Sequence, residues 1–427
     1  MAILISLLAF HGAKAQMTLN DCLIYAREHA HANVISRLDI EKAEADRRIA
    51  AAELMPYLSL SSSGNLSFGR NIDPETNTYD NKQTLSTGFG LQMSLPLFDG
   101  LVNINNLKAA RVARLRNVEA AQIEEDRISL EVVSSFYNVA YCKAMVTQMR
   151  QQLERDSTDL MATRRGEKLG IKSGADVAEM AAIVAADEYE LSNQTNLLAK
   201  AYLKLRGDMG MELSYEPLQL IESPAETTEP AGLSENPRVS EARLALKESE
   251  LHLRAAKGAY SPRISLNSGI STSYYKMIGN GSSVPSFREQ WKNNMGEYVG
   301  FSVTIPLFTG LSTTNKVKRA QIEVKQSRPR LEQTAYELEK ETSEAALDLK
   351  GATEELKAAA KSLAAEELAY KAVRRKYELG NASAIELYTA GAKLATARAK
   401  HEGARIRTRI GEITLAYYNG EKLIKEY

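Results

Sequence analysis

Apolar positions recur along this chain with two periods, about 3.5 residues over long stretches and two residues over short ones. Positions 335, 338, 342, 345, 349, 352, 356, 359, 363, 366, 370, 373 and 377 step alternately by three and four. They carry Ala, Leu, Thr, Ala, Leu, Ala, Leu, Ala, Leu, Glu, Tyr, Val and Tyr. Such a seam predicts a long helix in coiled-coil packing, with small Ala between Leu residues letting neighbouring helices approach closely. An equivalent seam runs through Ile128, Val132, Val139, Cys142, Val146, Met149, Leu153 and Leu160. Period two governs Phe89, Leu91, Met93 and Leu95, and again Val299, Phe301, Val303 and Ile305, with small or polar residues between. It also governs Leu58, Leu60, Leu66 and Phe68, and Ile264, Leu266, Ile270, Thr272 and Tyr274. Four strands are predicted, over about 57–69, 85–97, 263–275 and 297–308, each with one apolar and one polar face.

The pattern is written twice. Ser94-Leu95-Pro96-Leu97-Phe98-Asp99-Gly100-Leu101 returns 210 residues later as Thr304-Ile305-Pro306-Leu307-Phe308-Thr309-Gly310-Leu311. At the same offset Arg164-Arg165 becomes Arg374-Arg375, Leu169-Gly170 becomes Leu379-Gly380, and Gly210 becomes Gly420. Upstream, Pro56-Tyr57-Leu58-Ser59-Leu60 matches Pro262-Arg263-Ile264-Ser265-Leu266 at an offset of 206. Chance does not hold register this long, so the chain is a duplication. The first repeat covers 16–210, with a long helix over 100–169, a tip turn at 169–174 and a return helix over 174–213. An irregular segment follows at 211–235, where Pro217, Pro224 and Pro230 lie. The second repeat covers 236–420, with a long helix over 310–379, a turn at 379–383 and a return helix over 383–420, before a tail at 421–427. At 1.5 Å per residue a 70-residue helix spans about 105 Å, twice the length of its flanking helices, so a rod is expected. Pro329 should kink or break the second long helix.

Residues 1–15 are apolar from Ala2 to Phe10 and end in Ala13-Lys14-Ala15, a small-x-small pattern. They read as a secretory signal cut near Ala15, with a buried N-terminal helix as the alternative. No later stretch is apolar for long enough to span a bilayer as a helix. Lys and Arg number 54, as do Asp and Glu, and this balance argues against a nucleic-acid partner. Cys22 and Cys142 are too few for a disulfide scaffold, and Cys142 occupies the seam position held by Ala352 in the second repeat, a small core residue. The chain contains no H-E-x-x-H, G-x-S-x-G, G-x-x-x-x-G-K-[ST] or G-x-G-x-x-G motif, so an enzyme, a metal centre and a cofactor are not expected.

The strands fit a tilted membrane-crossing sheet and an ordinary half-buried one equally well. Two features favour the membrane. Tyr274, Tyr275, Trp291 and Tyr298 lie near strand ends, as interfacial girdles do, and the exported chain has no large globular core to employ two hairpins. The loops Arg70–Thr84 and Lys276–Glu297 are long and polar, whereas the other strand ends meet helices abruptly at Pro-Leu-Phe-x-Gly. Four strands cannot close a barrel, and open edges are forbidden in lipid. Several copies must then share one. Three copies give twelve strands, continued by twelve helices.

With its paired Pro-Leu-Phe-x-Gly junctions (Pro96, Gly100, Pro306, Gly310), its Leu-Gly turns and Asn236-Pro237 opening the second copy, the chain resembles the TolC-type outer-membrane efflux proteins over nearly its whole mature length. The resemblance implies an α+β membrane protein: a homotrimer with a 12-stranded β-barrel in outer-membrane lipid and a 12-helix periplasmic α-barrel. It implies an exit duct in the outer membrane of a Gram-negative bacterium, working with a periplasmic adaptor and an inner-membrane pump of RND or ABC type. The tip turns, carrying Leu169, Gly170, Ile171, Leu379, Gly380 and Asn381, then dock the adaptor. Tyr377 and Asp176 match a closing pair of the family, and Glu386 matches an acidic residue that narrows the aperture. The chain departs from the family at Ala382, where an arginine is usual, and at Thr389, where a second acid is usual. The competing reading is an exported periplasmic coiled-coil structural or adaptor protein with soluble β-hairpins.

Overall fold

A computed structural model describes residues 16–72, 77–81, 83–221, 236–278, 285–421 and 423–424. The expected signal at 1–15, residues 222–235 of the irregular segment and most of the tail lie outside them. In chain order the elements are β1 Met17–Thr18, α1 Leu19–His29, α2 His31–Ala52, β2 Tyr57–Ser67, β3 Arg70–Ile72, β4 Tyr79–Asn81, β5 Gln83–Phe98 and α3 Val102–Lys168. They continue with α4 Gly174–Met209, β6 Leu220–Ile221, α5 Pro237–Gly258, β7 Arg263–Ile278, α6 Phe287–Asn293, β8 Gly296–Thr304, α7 Ser312–Glu378 and α8 Ala384–Tyr418. Two compact units result. One gathers Met1–Asp39, Val118–Ser240 and Glu332–Tyr427; the other gathers Ile40–Asn117 and Glu241–Leu331.

The first unit is helical, and its packing follows the seams. Ile128, Val132, Val139, Cys142, Val146 and Leu160 are buried, and from Leu338 to Tyr377 every seam position of α7 is shielded at least in part. The main core joins Val132, Val133, Phe136 and Val139 of α3 to Cys22 and Leu23 of α1, Leu205 and Met209 of α4 and Ile406 of α8. Cys142 is thus a core residue, as its seam position predicts. The segment after α4 is not wholly irregular: β6 pairs in parallel with β1, setting Met17 opposite Leu220. Among the described residues no helix is long and apolar enough to cross a membrane.

The second unit holds one antiparallel sheet in the order β2-β5-β7-β8. The two expected hairpins are therefore joined, through β5 and β7. Subtracting the repeat offsets 206 and 210 from the partners Arg263 and Thr304 gives Tyr57 and Ser94, which also face each other. The duplication is thus kept in hydrogen-bond register. Cross-strand partners share a face, so Leu60, Leu91 and Ile270 form one apolar row, and Leu95, Leu266 and Phe301 another. The opposite face carries Ser61, Gly90 and Ser271, then Ser94 and Asn267, where the Ser94 hydroxyl bonds Asn267 Oδ1 at 3.0 Å and Asn267 Nδ2 donates to Ser302 Oγ at 3.0 Å.

Three expectations need correction. The last strand stops at Thr304 instead of running to 308, whereas its twin β5 continues to Phe98. β5 has partners on both sides, and β8 has one, so the end of β8 lacks the second ladder that would hold it straight. The four aromatics do not form one girdle, and the polar loops hold regular elements of their own, β3 paired with β4 and the helix α6. Trp291 stacks near Phe89 and Phe287 near Tyr274 on the apolar face, while Tyr298 covers Gly269 on the other. Pro329 does not end α7, which is helical throughout Ser312–Glu378.

Each strand-to-helix junction turns by two successive left-handed residues. Gly100 and Leu101 have φ of 75° and 65°, and Gly310 and Leu311 have 59° and 65°. A left-handed leucine is strained, and its recurrence at twin positions marks a turn that the fold imposes. The residue before each glycine caps the helix: Asp99 Oδ2 accepts from the Asn103 N–H at 2.7 Å, and Thr309 Oγ1 accepts from the Thr313 N–H at 3.4 Å. A side chain on Gly100 would place its Cβ 2.1 Å from the Gly258 carbonyl oxygen, whereas nothing lies within 4 Å of a Cβ on Gly170, itself left-handed. Gly170→Ala should cost only the left-handed penalty, about 1–2 kcal/mol. Gly100→Ala should lower the thermal midpoint of the detergent-extracted protein clearly further. Equal midpoints would show that the contact between Gly100 and Gly258 is dispensable.

Candidate functional sites at the hairpin tips and the sheet

Both tip turns lie in the helical unit and are built alike. In the first, the Gly170 N–H bonds the Glu167 carbonyl at 2.9 Å and the Ile171 N–H bonds the Gly166 carbonyl at 2.8 Å. In the second, the Gly380 N–H bonds Tyr377 at 3.0 Å and the Asn381 N–H bonds Lys376 at 2.8 Å. This bond pair closes a helix through a left-handed glycine, and Gly170 and Gly380 have φ of 75° and 76°. Each return helix then starts on a serine cap. Ser173 Oγ accepts from the Asp176 N–H, and the Asp176 carboxylate accepts from the Ser173 N–H at 2.8 Å and hydroxyl at 2.9 Å. Ser383 Oγ accepts from the Glu386 N–H at 3.2 Å. With both ends of each turn satisfied by the backbone and serine, Leu169, Ile171 and Leu379 are left exposed. The two turns thus open three aliphatic side chains to solvent.

The two hairpins meet just behind these turns. Leu160, Met180 and Ile183 of the first form a small core with Ala384 of the second, and Tyr377 packs against it. Thr163 Oγ1 donates to the Asp159 carbonyl at 2.8 Å, so the Tyr377 hydroxyl, 3.1 Å away, is the donor in their mutual bond. Lys172 Nζ lies 5.0 Å from the centre of the Tyr377 ring. Within the chain, therefore, Tyr377 is tied to Thr163 and Lys172, while Asp176 is tied to Ser173. The Ser173 N–H and hydroxyl hold the Asp176 carboxyl below the usual carboxylate range, with Lys172 adding to the effect. Glu386 is exposed in the first turn of α8. Thr163 was missed in the sequence, although it stands at the seam position of Val373 in the other repeat, where a polar residue is out of pattern.

The second candidate site is the sheet. Leu58, Leu60, Val299, Phe301 and Val303 are exposed on its apolar face, and β2 and β8 are its unpaired edges. The junction residues Pro96 and Pro306 occupy twin positions in unequal settings. Pro96 sits in β5 at a register shift opposite Ser265, a bulge that accommodates its missing N–H. After Pro306, Leu307 and Phe308 are 93% and 83% exposed, against 50% and 39% for Leu97 and Phe98. One copy of the motif is partly shielded by its own chain, and the other is almost bare. Among the described residues no group of three or more His, Cys, Asp or Glu is placed to hold a metal ion.

A family model described as "Outer membrane efflux protein" matches residues 26–211 and 231–421. CusC of Escherichia coli K12, named a cation efflux system protein, is 25% identical over 307 residues, which are 69% of this chain and 62% of CusC. The chain thus aligns with less than two thirds of that relative's length. A crystal structure of CusC superposes with a TM-score of 0.80 at 21% identity, covering 95% of this chain and 92% of that one. VceC, an outer membrane protein of Vibrio cholerae, gives 0.79 at 15% identity, with 95% and 96% covered. At these identities the superpositions establish a shared fold.

The caps differ in one checkable respect. Ser173 takes part in a reciprocal capping box, and no such box is formed at Ser383. Ser173→Ala should speed amide exchange in the first turn of α4 more than Ser383→Ala does in α8, the first change costing about 1 kcal/mol. Equal effects would mean that the returned Asp176 bonds add nothing.

Proposed function

The chain belongs to the outer membrane efflux protein family and is a protein of the Gram-negative outer membrane, and from that premise we propose that it is the exit duct of a tripartite efflux or type I secretion system. In this reading it passively conducts what an inner-membrane pump, of RND or ABC type, and a periplasmic adaptor deliver. The observation that carries the proposal is the four-stranded sheet with one apolar face, one polar face and two open edges. Such a sheet is satisfied in lipid only when closed by further copies, and three copies supply the twelve strands of a barrel with a polar lumen. The helices of three copies supply a twelve-helix periplasmic tube. Leu169, Gly170, Ile171, Leu379, Gly380 and Asn381 form the docking surface for the adaptor. Tyr377, Asp176 and Glu386 form the aperture, with Thr163 and Lys172 holding Tyr377 in the closed position. No catalytic step is assigned, and the energy for transport comes from the pump.

In this reading the duplication also sets how copies join. Applying the repeat offsets to the β5–β7 pairing, where Gln92 faces Gly269, would put Ser302 of β8 opposite Ser63 of β2 on the neighbouring copy. Both residues lie on the polar face, and the same register covers the bare end of β8. Cysteines at Ser302 and Ser63 should therefore cross-link the extracted protein into a covalent trimer under mild oxidation. Cysteines at Ser302 and Ser67, four residues out of register, should not. A soluble monomer or dimer with no cross-link would sink the duct and favour the periplasmic scaffold. At the tip, Tyr377→Phe combined with Thr163→Val should raise single-channel conductance in a planar bilayer; unchanged conductance would remove Tyr377 from the gate and leave the duct standing.

A further inference from the structure

The first hairpin contains a pair of buried acids that neither the duct nor the aperture employs. Asp156 of α3 and Asp187 of α4 are 5% and 6% exposed. Asp156 acts on Asp187 both through a side-chain hydrogen bond and through its charge. Gln152 Nε2 donates to Asp156 Oδ2, and Arg155 donates to Gln152 Oε1 at 2.9 Å. Among the described residues no donor reaches Asp187 Oδ2, although it is sealed from solvent. Two ionised carboxylates in contact are both acceptors, and an unpaired buried acceptor is costly. One proton between them turns a repulsion into a hydrogen bond and satisfies the stranded oxygen.

We propose that Asp156 and Asp187 form a shared-proton clasp between the outgoing and returning helices of the first hairpin, closed while one proton sits between them and released when that proton leaves to solvent. Burial first, and then the bond to and charge of Asp156, push the Asp187 carboxyl up to about 7, with Arg155 opposing them. The charges acting on the pair and its surroundings come from α3 as Arg155 and, one turn on, Asp159, while Arg374 and Glu378 of α7 act on Asp159. On the α8 side Gly391 backs Gln152. A carboxyl that holds its proton more tightly in the packed hairpin than in water stabilises the hairpin fully in acid. That contribution is lost as pH rises from the ordinary carboxylate range through about 7. The second hairpin has Glu366 and Ala397 at the twin positions, so it has no such pair and no such dependence. The clasp therefore loosens one of the two tip hairpins selectively as the surroundings turn from acidic to neutral.

The experiment is amide exchange on the full chain in detergent between about pH 4 and about pH 8, each segment of α3–α4 near the pair referred to its twin in α7–α8 to cancel the intrinsic pH dependence. The wild-type ratio should worsen by on the order of tenfold per pH unit wherever one extra proton is held. Asp187→Asn donates a permanent hydrogen bond to Asp156 and should abolish that trend. Independently of any variant, the infrared band of a protonated carboxyl should persist in the wild type to near neutral pH and disappear in D187N. A wild-type ratio constant with pH, or the absence of that band above about pH 5, would overturn the clasp. Neither readout depends on conductance or on trimer formation, so the clasp and the duct fail separately.

Discussion

Backbone hydrogen bonding at the edges of a small sheet is the constraint from which the rest of this molecule follows. Among the described residues β2 and β8 each present one unpaired edge, and the short helix α6 packs aromatic rings on the apolar face of the sheet, much of which stays exposed. In water that face is an aggregation surface, and in lipid the edges are forbidden. In the proposed duct such a sheet is closed by more sheet of the same kind. The duplication offers the match: β8 and β2 are the twins of β5 and β7, which already pair across the repeat boundary, so β8 would meet β2 of a neighbouring copy. The nearly bare Leu307 and Phe308 are the same asymmetry in side chains, since their twins Leu97 and Phe98 are about half as exposed.

The helices answer a different demand with the same economy of pattern. A 3.5-residue repeat rich in Ala and Leu sets close approach without bulky knobs, and α7 stays helical through Pro329. Where the seam admits a polar residue, something specific happens. Thr163 receives the Tyr377 hydroxyl, and Asp156 meets Asp187. Polar intrusions into a hydrophobic seam cost stability, and their positions on either side of Leu160 put them in the part of the first hairpin that the second hairpin touches.

Period and repetition make most of the fold legible in the sequence. The seams, the four strands and the two Leu-Gly turns are all visible, because each is a local rule obeyed twice. What was not legible depends on neighbours far away in sequence. The early stop of β8 follows from its having one partner, a property of the sheet order and not of residues 305–308. The split of the aromatics between faces depends on α6, whose Ser286 and Glu289 capping box sits in a loop that reads as polar and irregular. Tyr377 was singled out through resemblance, yet its partner inside the chain is 214 residues away and carries no motif.

The junctions show why two regular periods can share one chain. A strand delivers its last residue with period two, and a helix needs four orphan N–H groups satisfied at once. Asp99 and Thr309 accept from those groups, and two left-handed residues in succession, the second a strained leucine, reverse the chain sharply enough to begin the helix at once. A longer loop would relax the leucine, but it would also let the strand shift along its neighbours. A one-residue slip would exchange the polar and apolar faces. Strain at Leu101 and Leu311 is thus the counterpart of a fixed register, and the register is what keeps serine and asparagine on one side of the sheet and leucine and phenylalanine on the other.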